Sequence, residues 1–252
     1  MPKPTFAPLH EDLVFHGPLS QARANTLVGS LGPLAGRHLV DLGCGWAELL
    51  LQAVATDATA TGHGLDTDAT AIEHGRANAA RRDLADRVTL EVGDAGAWSG
   101  GADVLVVNGA TQVWGGDPVV HTENALAAGR RLLRPGGRLL LGECYWQREP
   151  TAAQLEIMKI PRAQYRALPD LVDLALAHGY RMWWLSRASH DEWDEFESRH
   201  ALAWERWLAD NPGSSHAADV QARADGHRAA WLRGWQDVLG FAYLTLAVPS
   251  AC

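Results

Sequence analysis

The chain is poor in cysteine. Cys44, Cys144 and Cys252 lie far apart with no CxxC pair among 252 residues. That excludes a disulfide framework and a cysteine zinc site. Basic runs are also missing: no Lys/Arg stretch exceeds two residues, and the net charge is −8. A nucleic-acid binder usually carries a basic face, so no nucleic-acid partner is expected. No apolar stretch approaches the ~18 residues of a membrane span, and no apolar run follows a basic start near residue 1. The reading is therefore a protein of the cytoplasm with no membrane partner. His190, His200, His216 and His227 fall at no metal-ligand spacing, so no metal is expected.

What is present is enough apolar content, 47%, for a sizeable core. Strand and helix patterns alternate after residue 36, as in a parallel α/β sheet. Strands are expected at 38–42, 61–65, 87–92, 102–107 and 139–143, with helices at 46–56, 68–82 and 118–133. Asp68 suits a helix N-cap, and Arg134-Pro135-Gly136-Gly137-Arg138 suits a turn. A helix at 168–178 stops at Gly179, a sixth strand follows at 180–187, and a seventh lies at 240–248. Between the last two strands, Trp193, Phe196, His200, Trp204 and Trp207, then Val220, Ala224, His227, Trp231 and Trp235, recur at helical steps. Helical spacing makes most of these tryptophans core, with an aromatic pocket as the other reading.

The segment from His38 to Glu48 holds the sharpest signal. A buried strand ends near Asp41 and breaks at Gly43-Cys44-Gly45-Trp46-Ala47-Glu48, with a helix beyond. Glycine lets a ligand approach the backbone, and a helix N-terminus presents free N–H groups. A dinucleotide fingerprint would place a small residue where Glu48 stands. This disfavours a nicotinamide cofactor. Val40, Asp41, Gly43 and Gly45, with Ala47 in place of a third glycine, resemble the glycine-rich motif of class I S-adenosylmethionine-dependent methyltransferases. Alanine there is small, so the departure reads as mild.

The resemblance covers roughly 35–187 and 240–248, and is closest to bacterial small-molecule enzymes. It implies an α/β fold: a seven-strand, mostly parallel, Rossmann-like sheet with an antiparallel last strand and a helical cap inserted between the last two strands. The domain layout that follows is an arm at 1–34, the cofactor domain at 35–187 plus 240–252, and a cap at 188–239. Strand six exits and strand seven enters at the carboxyl edge, where α/β ligands bind, so the cap is expected over the site.

S-adenosylmethionine is the implied cofactor, with S-adenosylhomocysteine as product. Asp41, Gly43, Cys44 and Gly45 would form its turn. Asp66, about twenty residues on, would accept the ribose hydroxyls, with Thr67 beside it. Asp94 and Ala95 would meet adenine, with Trp98 able to cover the ring. Asn108 would lie near the methionine part. The base-methylating [DNS]-P-P-[YF] element is missing there, again against a base substrate. Trp114 and Trp146 are candidate acceptor contacts. Candidate catalytic residues are Glu143, Tyr145 and His16, the last a possible general base. The expected function is methyl transfer to a small-molecule acceptor by direct displacement. Alternatives are a non-catalytic module binding the same cofactor and a cyclopropane-synthase-like lipid enzyme. The acceptor atom and the oligomeric state stay open.

Overall fold

The computed structural model describes residues 13–250. Its sheet has the order β3-β2-β1-β4-β5-β7-β6. The strands are β1 His38–Leu42, β2 Thr61–Asp66, β3 Val88–Val92, β4 Ala102–Asn108, β5 Leu133–Trp146, β6 Arg181–Arg187 and β7 Leu239–Ala247. The first five pair parallel, and β7 runs antiparallel between β5 and β6. The expected seven-strand architecture is therefore present, with the chain reversal in β7 alone.

Helices α1 Gln21–Ser30, α2 Glu48–Ala55, α3 Ala69–Arg81, α4 His121–Leu132, α5 Ala152–Met158 and α6 Leu168–Ala177 accompany the sheet. The apolar residues split into two clusters, one on each face. Continuous apolar runs such as Val104–Val107 are buried on both faces, as parallel strands require. Asp68 caps α3 by accepting from Thr70 N–H and Ala71 N–H, and Gly179, at φ +78°, ends α6.

Two local expectations are corrected. The turn at 134–138 lies inside β5: pairing jumps from Ala102 with Leu133 to Val104 with Arg138, so Pro135 and Gly136 bulge out without ending the strand. Helix α2 begins two residues later than expected, because Ala47 sits at φ +60° in the left-handed region. The demand at this third-glycine position is conformational rather than steric. Alanine there carries backbone strain of about 1 kcal/mol.

The insertion contains α7 His190–Asp210, α8 Ala217–Ala230 and a π-helical turn at Trp231–Trp235. It has a small core of its own, with Trp204, Val220 and Ala224 buried. The arm and α7 are joined by Glu192. It accepts from Arg23 Nε at 2.8 Å, and from the Ser20 hydroxyl at 2.6 Å and backbone N–H at 3.1 Å.

Candidate active site

The carboxyl ends of β1, β2 and β4, with the loop after β3, surround a cavity of about 420 Å³. That lies within the ~300–1,000 Å³ range of small-molecule sites. Gly43, Asp66, Thr67, Asp94, Ala95 and Asn108 line it. A narrow extension of about 40 Å³ adds Asp41, Cys44 and Gly45, and shares Gly43, His16 and Asn108 with the first. Asp41, Gly43, Cys44, Gly45, Asp66, Thr67, Asp94, Ala95 and Asn108 thus all line one or other of two adjoining cavities.

The turn is stitched to the end of β2. Gly43 N–H and Cys44 N–H both donate to Leu65 O, at 2.9 and 3.0 Å. Gly45 N–H donates to Asp66 Oδ2 at 2.7 Å, and Asp68 N–H to Asp66 Oδ1 at 2.9 Å. A carboxylate has about four acceptor positions, so Asp66 keeps capacity for two ligand hydroxyls. Gly43 and Gly45 both have positive φ, +76° and +54°. A Cβ on Gly43 would lie 2.5 Å from Ala110 Cβ, and one on Gly45 2.6 Å from His16 Nδ1. The arm therefore closes directly on the turn. His16 stacks edge-on with Trp46, ring centres 3.6 Å apart, and Trp46 Nε1 donates to Val14 O at 2.8 Å.

Asp41 is buried beneath the turn. Desolvation, then the charge of Asp66, pushes its carboxyl up to about 8. Burial also holds the Cys44 thiol well above its usual range, with Asp41 and Asp66 adding to it. Cys44 therefore contributes backbone rather than a thiolate. Asn108 Oδ1 is buried without a hydrogen-bond partner. Glu48, out of place for a dinucleotide, is structural: Arg82 grips it with two bonds of 2.9 and 2.8 Å, tying α2 to α3.

The other expected residues lie elsewhere. Strand parity places Glu143 and Tyr145 on the face of Leu139 and Leu141. Glu143 accepts from Thr122 Oγ1 at 3.1 Å and Cys144 N–H at 2.8 Å. Burial raises its carboxyl despite those bonds and a third from Thr111. Tyr145 is buried over Gly240 and donates to Gln147 Oε1 at 3.4 Å. Trp146 Nε1 donates to Arg162 O at 2.8 Å, under the loop that precedes α6. Trp114 packs partly buried against the core. Trp98 packs on His63, ring centres 4.5 Å apart. None of these five lines the two cavities at the glycine turn.

A larger cavity of about 590 Å³ lies between the insertion and the ends of β5, β6 and β7. Trp193, Trp231 and Trp235 line it, with Asp194 and Gln147. The sequence pattern marked these tryptophans as mostly core. The π-helical turn, a feature frequent at functional sites, is what brings both its ends, Trp231 and Trp235, to the space. Glu197 accepts from Trp235 Nε1 at 2.9 Å and bonds His227 at 2.7 Å.

Known proteins are similar to this chain in sequence and fold. The uncharacterized protein YjhP of Escherichia coli (strain K12) is 30% identical over 211 residues, 82% of this chain and 83% of YjhP. A methyltransferase of Geobacter sulfurreducens, solved with S-adenosyl-L-homocysteine, has a TM-score of 0.82 at 28% identity, covering 92% of both chains. A methyltransferase of Thiobacillus denitrificans, solved with the same molecule, has a TM-score of 0.84 at 25% identity, covering 94% of this chain and 95% of that one. Residues 34–195 match the methyltransferase domain family, a stretch that starts just before β1 and takes in every strand end around the cavity, and the chain belongs to that family.

Proposed function

We propose that the chain is an S-adenosylmethionine-dependent methyltransferase acting on a small-molecule acceptor, with the insertion forming the acceptor pocket. One observation carries this reading. Asp41, the glycine turn, Asp66, Asp94 and Asn108 line two adjoining cavities at the carboxyl ends of the strands, in a fold similar to that of methyltransferases solved with the demethylated product. The residues suit that donor. Asp66 has spare acceptor capacity for ribose hydroxyls, and the unpartnered Asn108 Oδ1 and the Asp41 carboxyl offer acceptors to an ammonium group. When bound, the donor would supply an activated methyl group that passes to the acceptor's nucleophile as the carbon–sulfur bond breaks and S-adenosylhomocysteine leaves as a neutral thioether.

The chain's own task is then alignment and exclusion of water. Phe241 lies 3.6 Å from where a Gly109 Cβ would be, and belongs to the core cluster against which Trp193 packs. Gly109 lines the cavity at the glycine turn and Trp193 the larger one. Among Glu143, Tyr145 and His16, only His16 lines the cofactor cavity, and it is the residue placed to take a proton from an acceptor. Glu143 and Tyr145 support the end of β5.

Calorimetry with S-adenosylhomocysteine tests the reading. Asp66→Ala removes charge-assisted hydrogen bonds worth about 1.5–3 kcal/mol, so affinity should fall about 10- to 100-fold. Equal affinity would remove the ribose assignment. Product formation across a panel of amine, hydroxyl and thiol acceptors tests catalysis. Tight binding with no turnover on any acceptor would favour a non-catalytic module.

A further inference from the structure

The proposed reaction uses the carboxyl edge of the sheet. At the opposite edge, where β1, β5 and β6 begin and β7 ends, lies a separate cavity of about 430 Å³. Arg37, Arg138, Arg181 and Trp183 line it, and among the described residues no acidic one does. Strand register builds it. Arg138 and Arg181 both pair with Ala247, one from each side. Residues opposed across neighbouring strands share a face, so both arginine side chains leave the sheet on the face of Ala247, and both line the cavity. Strand β6 carries an extra residue here: Met182 pairs with Leu246 and Trp184 with Thr245. Trp183 is the residue bulged out between them, and a bulge re-aims its side chain. The Trp183 ring lies 4.0 Å from the Arg138 guanidinium carbon and remains 55% exposed.

The local charge runs against that of the whole chain. Arg37 and Arg134 share one carboxylate, Asp103, at 3.4 and 2.9 Å. Asp103 also accepts His38 N–H at 2.8 Å. Neither Arg138 nor Arg181 has a carboxylate partner among the described residues, and Arg138 Nε is buried with no hydrogen-bond partner at all. Burial, and then the charge of Arg37, work against the Arg138 cation. An oxyanion between the two guanidinium groups would relieve both penalties, and guanidinium forks take oxyanions bidentately.

We propose that this cavity is a binding site for a small phosphate-bearing anion, gripped by Arg138 and Arg181 across Ala247 with Arg37 at its rim. A polyanion such as RNA fits less well, because the net charge of −8 repels it outside this confined patch.

The test is calorimetry on the full chain at low salt, with inorganic pyrophosphate as probe. The wild type should bind with a Kd of about 1 mM or tighter, and added salt should weaken it. The double variant Arg138→Gln, Arg181→Gln should bind at least ~10-fold more weakly. Its unfolding midpoint without ligand should stay close to that of the wild type. No binding by the wild type, or equal binding by the double variant, overturns the proposal. So does an RNA hairpin that binds far more tightly than pyrophosphate and is lost in the same variant, since that would make the patch a nucleic-acid surface.

Discussion

Replacing Asp41 by asparagine should change how stability depends on pH. Asp41 is only 4% exposed. Burial, with the charge of Asp66 added, lifts its carboxyl from the usual 3.8 to about 8. In that window the folded protein holds a proton that the unfolded chain has released. Stability therefore falls as pH rises from about 4 to about 8. The slope is about 1.4 kcal/mol per pH unit, or on the order of 4 kcal/mol between pH 5 and pH 8. For a chain of this size each kcal/mol moves the unfolding midpoint by roughly 2–4 °C, so the full effect is about 10 °C. An amide does not titrate, and whatever it costs beneath the turn is the same at every pH. Urea or thermal unfolding of wild type and Asp41→Asn at several pH values isolates the contribution. The variant should gain on the wild type steadily as pH rises. Parallel curves from pH 5 to pH 8 would refute the assignment of a proton to the folded-state carboxyl.

Glu192 should behave in the opposite sense. Burial pushes its carboxyl up, but bonds from Arg23, Ser20 and Ser189 outweigh it and bring it down to about 2. Its contribution is present above the ordinary glutamate value and lost as pH falls toward 2. Glu192→Gln should cost about 1–3 kcal/mol at neutral pH and flatten the acid limb of a stability–pH curve. Ala47→Gly should stabilise by about 0.5–1 kcal/mol in urea unfolding, because glycine adopts φ +60° without strain. A Cβ on Gly142 would lie 2.0 Å from Asn108 Oδ1. Gly142→Ala should therefore displace Asn108 and weaken S-adenosylhomocysteine binding severalfold by calorimetry. An unchanged Kd would take Asn108 out of the cofactor's surroundings.

The grouping of Asp41, Asp66 and Asp94 around the glycine turn was legible in the sequence because its signals are local. Glycine spacing, an acid at a strand end and a capping Asp68 each act within a few residues, so Asp41, Asp66 and Asp94 could be read from their neighbours. The surroundings of Glu143 and Tyr145 were not. Whether Glu143 faces a cavity or a helix depends on strand parity, and parity was not fixed by knowing where β5 ends. The long β5 also hid its start, since a proline–glycine excursion inside a strand looks like a turn between elements. Among the insertion's tryptophans, Trp204 is core while Trp193, Trp231 and Trp235 line a cavity. Helical periodicity marks them all alike. The Arg138–Arg181 pair was invisible for a different reason: only β7, far along the chain, brings the two side by side.

The place of β7 has a consequence for how the molecule forms. Within the sheet β6 bonds only to β7, and β7 is made after α7 and α8. On a ribosome, β1 to β5 can zip together while β6, packed on α6, waits without a strand to pair with. The arriving strand then closes two seams at once and sets Tyr243 where its hydroxyl donates to Pro18 O, anchoring the arm. Contacts between such distant segments form slowly. Chaperone dependence should accordingly concentrate in the interval before β7 emerges, and nascent chains stalled there should be far more sensitive to protease in β6 than in β1 to β5.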